Sequence, residues 1–340
     1  MLLYRTAKLS GSQIFIQMKR IYKKSSKRRP KFKIADLPKL FWEAAKIWNA
    51  NSPWRLGAVV AYYAVLSLPG LLIVIINSVG AIWGTEIVQG QITGEISEAI
   101  GPDAAKAVIG IIANTQEDGR TLFATIMGIA VLIFGATGVF YQLQISMNEI
   151  WGVKIDPKAG FIKVIKDRAV SLAFVMAIAF LLIISFVVST ALTVVSSYLT
   201  RIWEPGFVVI AQLMEFIVST GILGLLFVLI FRFMPDMKIH WNSVWLGGFI
   251  TALLFNLGKI LLSLYFGFSE PGSTYGAAGS VVLVLLWVSY SCLILFFGAA
   301  FTRVYAEKYG PKLHPEDYAM IVETKEVVVE KGSDNSTSDQ

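Results

Sequence analysis

Residues 280–302 read SVVLVLLWVSYSCLILFFGAAFT, 23 residues without one charged side chain. A helix of about 20 apolar residues crosses a hydrocarbon core of ~30 Å, so this run is long enough to span a bilayer. Working outward from it, six stretches read the same way: 57–83, 121–141, 169–199, 207–231, 243–266 and 280–304. The expected fold is all-α, a polytopic bundle of six transmembrane helices with amphipathic helices at the interfaces.

Composition agrees. Hydrophobic residues make up 55% of the 340-residue chain, charged residues 16%, and the mean hydropathy is +0.64. Soluble proteins carry roughly 25% charged residues. This chain has too little charge to cover a water-exposed surface.

The net charge of +7 is unevenly spread. Residues 1–39 hold twelve Lys or Arg and one acid, Asp36, whereas residues 313–340 hold two lysines and seven acids. That asymmetry does not describe a basic surface for nucleic acid. Beside a membrane span, a basic segment reads as a contact for anionic lipid headgroups, at about 1 kcal/mol per basic residue.

Lys and Arg in short flanks set orientation. The basic amino-terminal segment is expected in the cytoplasm. The 84–120 loop has Lys106 and Arg120 against six acids and is expected outside. The 142–168 loop has Lys154, Lys158, Lys163, Lys166 and Arg168 and is expected inside. The remaining loops alternate consistently, which places both ends in the cytoplasm of a bacterial inner membrane. The organisation expected is a basic segment 1–56, a transmembrane domain 57–304 and a tail 305–340 that becomes disordered from Glu330. More than fifty residues precede the first apolar run, so that run reads as a retained signal anchor, not a cleaved leader.

Outside the spans, Leu37, Phe41, Ala45 and Trp48 recur at helical spacing, with Asp36 as a candidate cap. They predict a helix lying along the cytoplasmic surface. In the 84–120 loop, Ile92, Ile96 and Ile100, then Ala104, Val108 and Ile112, predict two amphipathic helices resting on lipid or lidding the bundle.

Chemistry-bearing motifs are scarce. Cys292 is the one cysteine, so no internal disulfide can form. His240 and His314 are too few for a histidine-rich metal site. Phosphate-binding, zinc-protease and nucleophile-elbow motifs are absent, and the acids are scattered through loops. Neither catalysis, nor a metal, nor a cofactor is expected.

Ionisable groups inside a span are costly and mark a pathway or a partner. Glu215 in the fourth expected span and Lys259 in the fifth each fall about 10 Å into the outer half at 1.5 Å per residue. Gln212 shares a face with Glu215, Asn256 shares a face with Lys259, and Asn77 falls at similar depth. One reading is an outward polar cavity for an anionic or amphipathic ligand. The other is a structural ion pair, or a lysine snorkelling to the headgroups. Pro69 should kink the first span, as a static bend or a hinge. Gly276 and Gly279 permit a tight turn or close packing where the last span begins.

Several of these motifs together resemble the YihY/BrkB family of bacterial inner-membrane proteins, over roughly residues 53–307. The resemblance rests on Ala61-Tyr62-Tyr63-Ala64-Val65-Leu66-Ser67-Leu68-Pro69; on Phe134-Gly135-Ala136-Thr137-Gly138-Val139-Phe140 with Gln144 and Asn148-Glu149-Ile150-Trp151-Gly152; and on Tyr275-Gly276-Ala277-Ala278-Gly279-Ser280 followed by Leu286-Trp287 and Phe297-Gly298. It implies a six-helix inner-membrane protein. Lys259 after Gly258 looks like the Gly-Lys of many members. Ala300 stands where the family pattern usually has an acid. The family has carried a ribonuclease label and has been tied to serum resistance and to export of envelope lipid. The expected function is a transporter or flippase-like exporter of a lipid or other envelope amphiphile. The alternatives are a membrane scaffold and, last, a membrane-tethered ribonuclease.

Overall fold

Lipid offers the backbone no hydrogen-bond partner, so an apolar chain must satisfy its own N–H and C=O groups, and a helix does this within one segment. The computed structural model describes residues 30, 32–67, 122–155, 206–269 and 279–322, without the side chains of 122–134, 136, 206–212, 215 and 280. The expected span 169–199, the 84–120 loop with its two amphipathic helices, Asn77, Pro69, Tyr275, Gly276 and the tail past residue 322 lie outside the described residues.

The described chain is overwhelmingly helical. Its helices are α1 (Leu37–Ala50), α2 (53–67), α3 (Leu122–Trp151), α4 (Gly206–Phe233), α5 (Trp241–Ser269) and α6 (Gly279–Tyr309). Three of them contain stretches long and apolar enough to cross a membrane: Phe216–Phe233, Trp241–Ser269 and Val281–Tyr309. Helices α3 to α6 outlast their apolar runs, reaching about 42–47 Å at 1.5 Å per residue. The surplus projects beyond a ~30 Å core.

Four short strands gather at one end of the bundle. β1 (Val153–Ile155) pairs antiparallel with β4 (Ala319–Ile321), and β2 (Met237–Lys238) pairs with β3 (His314–Pro315). These pairs tie the segments that follow α3, α4 and α6 to one another. The part of the tail up to residue 322 is therefore ordered, by ladders that its sequence did not advertise.

α6 is the hub, packing against α5, α1 and α3. Small residues let it approach α5 closely. A Cβ at Gly247 would collide with Thr302 on α6, and a Cβ at Gly298 would collide with Thr251 on α5. The two Gly-x-x-x-Thr segments are thus reciprocal in an antiparallel crossing. Each threonine hydroxyl is satisfied inside its own helix: Thr251 donates to the Gly247 carbonyl at 2.6 Å and Thr302 to that of Gly298 at 2.7 Å. Without a hydrophobic force between helices in lipid, such close backbone approach is what holds them.

α1 does not lie free on a surface. Leu40 and Ala44 are fully buried, Phe41 packs on Phe297 and Phe301, and Trp48 donates its indole N–H to the Leu293 carbonyl at 3.1 Å. One flank of the helix is thereby sealed against α6. Asp36 is not its cap: it has helical backbone angles and makes no capping bond. Its carboxylate accepts instead from the Tyr309 hydroxyl at 2.9 Å.

Candidate functional site

The segment Gln144 to Gly152 closes α3 at the strand-bearing end of the bundle. Gln144 and Asn148 lie one helical turn apart and face the same carboxylate, that of Asp236. Asn148 donates to Oδ2 at 2.7 Å and Gln144 to Oδ1 at 3.3 Å. Tyr318, on the tail, donates its hydroxyl to Oδ1 at 3.2 Å. The Asp236 backbone is held as well: its N–H donates to Asn148 Oδ1 at 2.8 Å, and its carbonyl accepts from the Glu316 N–H at 3.1 Å.

Asp236 is only 3% exposed. Burying a carboxylate is costly unless hydrogen bonds replace its water. Here the donors come from α3 and the tail, while Asp236 belongs to the turn between α4 and α5. A single side chain therefore fastens three parts of the chain. Arg232 closes the same turn, donating to the Ile239 carbonyl and stacking near the Phe233 and Trp241 rings.

The next residues of the α3 segment continue the pattern. Glu149 accepts from Arg55 of α2 at 2.9 Å. The Ile150 carbonyl accepts from Arg303 of α6 at 2.6 Å, a cation placed where a helix carboxyl end favours one. Trp151 is 2% exposed, and its indole N–H has no partner among the described residues. Gly152 has φ +66°, a conformation that L side chains rarely adopt, and this turns the chain from α3 into β1.

Beside this segment opens a cavity of about 1040 Å³. Asn51, Arg55, Glu149 and Lys154 give its wall charge and hydrogen-bonding capacity, and Tyr141 and Ile145 are among its apolar walls. A second hollow, about 420 Å³, is apolar and lies between α1, the start of α2, α5 and α6, against Trp48, Trp54 and Gly258. Among the described residues no group of three or more His, Cys, Asp or Glu could hold a metal ion.

Gly135 lies against Ser67 and Gly138 against Tyr63, so both are points where α3 meets α2 closely. Tyr62 is exposed, and Gly279 is buried at the start of α6. Asn256 of α5 donates to the Thr220 hydroxyl of α4 at 3.0 Å, and Lys259 is half-buried on α5. The helical backbone carries Gln212 and Glu215 on α4, with their side chains outside the description. Ala300 is fully buried.

Asp236, Tyr318, Arg55 and Arg303 escaped the reading of the sequence. Each looks like an ordinary loop or flank residue there. The only available signal was Pro235-Asp236 in a very short connection between two long apolar runs, where a turn must be fastened.

A UPF0761 membrane protein of Teredinibacter turnerae is 26% identical over 268 residues, covering 79% of this chain and 59% of its own length. One from Verminephrobacter eiseniae is 26% identical over 216 residues, covering 63% of this chain and 49% of its own. One from Azotobacter vinelandii is 28% identical over 241 residues, covering 70% and 55%. The chain spans about half to three-fifths of these relatives' length. No solved structure matches it. The family model described as virulence factor BrkB matches residues 46–320, which include every residue of the Asp236 network and of the Arg55–Glu149 pair. The chain belongs to the virulence factor BrkB family of membrane proteins.

Proposed function

We propose that the protein is a transporter, or flippase-like exporter, of a lipid or other envelope amphiphile. The observation that carries the reading is the cavity of about 1040 Å³ at the strand-bearing end, with charged and apolar walls side by side. Ligand sites are concave, commonly ~300–1,000 Å³, and pair apolar walls with a few placed polar groups. A cavity of that kind at the end of apolar helices fits a molecule that is itself half polar.

Glu215, Lys259, Gln212, Asn256 and Asn77 would form a second polar station in the other half of the bundle. The Asn256–Thr220 bond supports a polar seam between α4 and α5 at that station. The sequence carries no nucleotide-binding motif, so movement would be facilitated or driven by a gradient. The Lys and Arg distribution supports placement in the bacterial inner membrane with both termini cytoplasmic, and the basic amino-terminal segment would rest on anionic headgroups.

The test is translocation of a fluorescent phospholipid across proteoliposome bilayers. The parent should accelerate it over protein-free vesicles, and the doubly substituted Glu215→Ala, Lys259→Ala protein should lose that acceleration. Full retention in the double variant would sink the second station; no acceleration by the parent would sink transport of that lipid. A non-transporting scaffold is the second reading, favoured by the anchorage of the tail through Tyr318. A scaffold should depend on its tail and tolerate loss of cavity charges, whereas a transporter should do the reverse.

A further inference from the structure

The cavity at the strand-bearing end has a definite electrostatic character. Arg55 uses one of its guanidinium nitrogens on Glu149, and that pair is exposed, with 63% and 37% of the two side chains open to solvent. Its other N–H groups face no acceptor among the described residues. Lys154 is exposed on β1 and lines the same cavity, and its ammonium makes no ion pair among the described residues. The amides nearby are already occupied: Asn148 holds Asp236, and Asn51 donates to the Ile47 carbonyl at 2.7 Å. The polar side-chain groups left to meet a ligand therefore include two cations, Arg55 loosely held by an exposed acid and Lys154, with the hydroxyl of the exposed Tyr141 beside them.

An exposed ion pair is weak and exchanges its partner easily. A guanidinium prefers a phosphate or carboxylate that it can meet with two parallel N–H bonds. Tyr141, Ile145, Val153 and Ile155 provide apolar surface in the same cavity. An inorganic anion would leave that surface unused, whereas an amphiphile would cover it.

We propose that this cavity receives the phosphate headgroup of an anionic amphiphile, bound by Arg55 and Lys154, with Glu149 as the resting counter-ion that the ligand displaces. This rests on the amphiphile reading above and names its headgroup. The Asp236 network then has a supporting role, because Asn148 next to Glu149 is pinned to it and keeps the end of α3 in place.

The experiment is calorimetric titration of the full chain in nanodiscs of zwitterionic lipid, with empty nanodiscs subtracted. The probes are dihexanoyl phosphatidic acid, dihexanoyl phosphatidylcholine and inorganic phosphate. Phosphatidic acid should bind at least about tenfold more tightly than either of the others, and Arg55→Ala should weaken it by about tenfold. Lys154→Ala should weaken it less. Glu149→Gln should tighten it several-fold, an effect that a merely structural clasp would not produce. Equal binding of phosphatidic acid and phosphatidylcholine would overturn the proposal. Equal binding of inorganic phosphate would assign the site to a free anion and overturn the amphiphile. If Arg55→Ala does not fold, Lys154→Ala and Glu149→Gln decide between the same outcomes, and weaker binding in Glu149→Gln would overturn the counter-ion role. Headgroup preference without lipid translocation would leave this site standing and remove the transport reading. Translocation without headgroup preference would do the opposite.

Discussion

The strand-bearing end of the bundle and the outward flank of α5 are built on opposite principles. At the strand-bearing end, side chains from α3, the α4–α5 turn and the tail converge on one buried carboxylate. Trp151, Phe231, Phe301, Leu40, Met147 and Ile239 are all almost fully buried, several of them around that end. On the outward flank of α5, by contrast, Leu253, Leu257, Ile260, Leu261 and Leu264 are about half exposed. A soluble protein rarely shows so continuous an apolar face. Lipid removes the penalty there, so specificity has to come from elsewhere: hydrogen bonds at one end, and backbone approach at small residues on the inner face of α5. One lesson is that on the outward flank a lipid chain can take the place of a leucine contact, whereas nothing in lipid can take the place of Asn148 at the strand-bearing end.

That contrast can be broken by substitution. The largest effect is expected from Asp236→Ala, which takes the carboxylate acceptor away from the buried Asn148 amide and removes the bonds that Gln144 and Tyr318 make to it. Denaturant unfolding in detergent should show a loss of about 3–4 kcal/mol. A double-mutant cycle with Asn148→Ala should return a coupling of about 1 kcal/mol or more; additive losses would show that the carboxylate does not fasten the end. Next comes Gly298→Val, which drives a side chain into Thr251 and should cost about 2 kcal/mol. Adding Thr251→Ala should recover part of it, because room is restored on the facing helix.

Smaller effects sharpen the same contrast. Leu257→Ala on the outward flank should change stability by less than about 0.5 kcal/mol in lipid. A loss as large as that of Gly298→Val would mean that this face meets protein, not lipid. Glu149→Gln should cost less than about 1 kcal/mol, since its pair with Arg55 is exposed. The smallest expected effect is a pH dependence. Lys238 donates to Asp317 at 2.7 Å, and this bond, opposed by desolvation and aided by the charges of Asp317 and Glu316, lifts its ammonium above the ordinary value of 10.5. A raised value means that the stabilisation is complete below 10.5 and is lost as pH climbs through the raised value. Proteolysis of the tail should therefore quicken only in strongly alkaline solution, and Lys238→Met should abolish that dependence.

Much of the architecture was readable residue by residue. The apolar runs at 207–231, 243–266 and 280–304 lie within helices α4, α5 and α6, because hydropathy is a local property and a chain in lipid has few alternatives to the helix. The sequence singles out Gln144, Asn148 and Trp151 by their motif, yet what they touch is invisible in it. Asp36 was assigned to a cap on local grounds and found a distant partner in Tyr309. Asp236 was passed over because an acid in a loop is ordinarily solvated.

What composition and periodicity carry in this chain is the all-α class and the positions of its apolar helices. Each depends on a residue and its near neighbours. Partnership does not. Asn148 and Asp236 are 88 positions apart, and Tyr318 is another 82 beyond Asp236. Their meeting exists only because α3, α4 and α6 finish at the same end, where one carboxylate must replace its lost water with donors from wherever the fold has brought them.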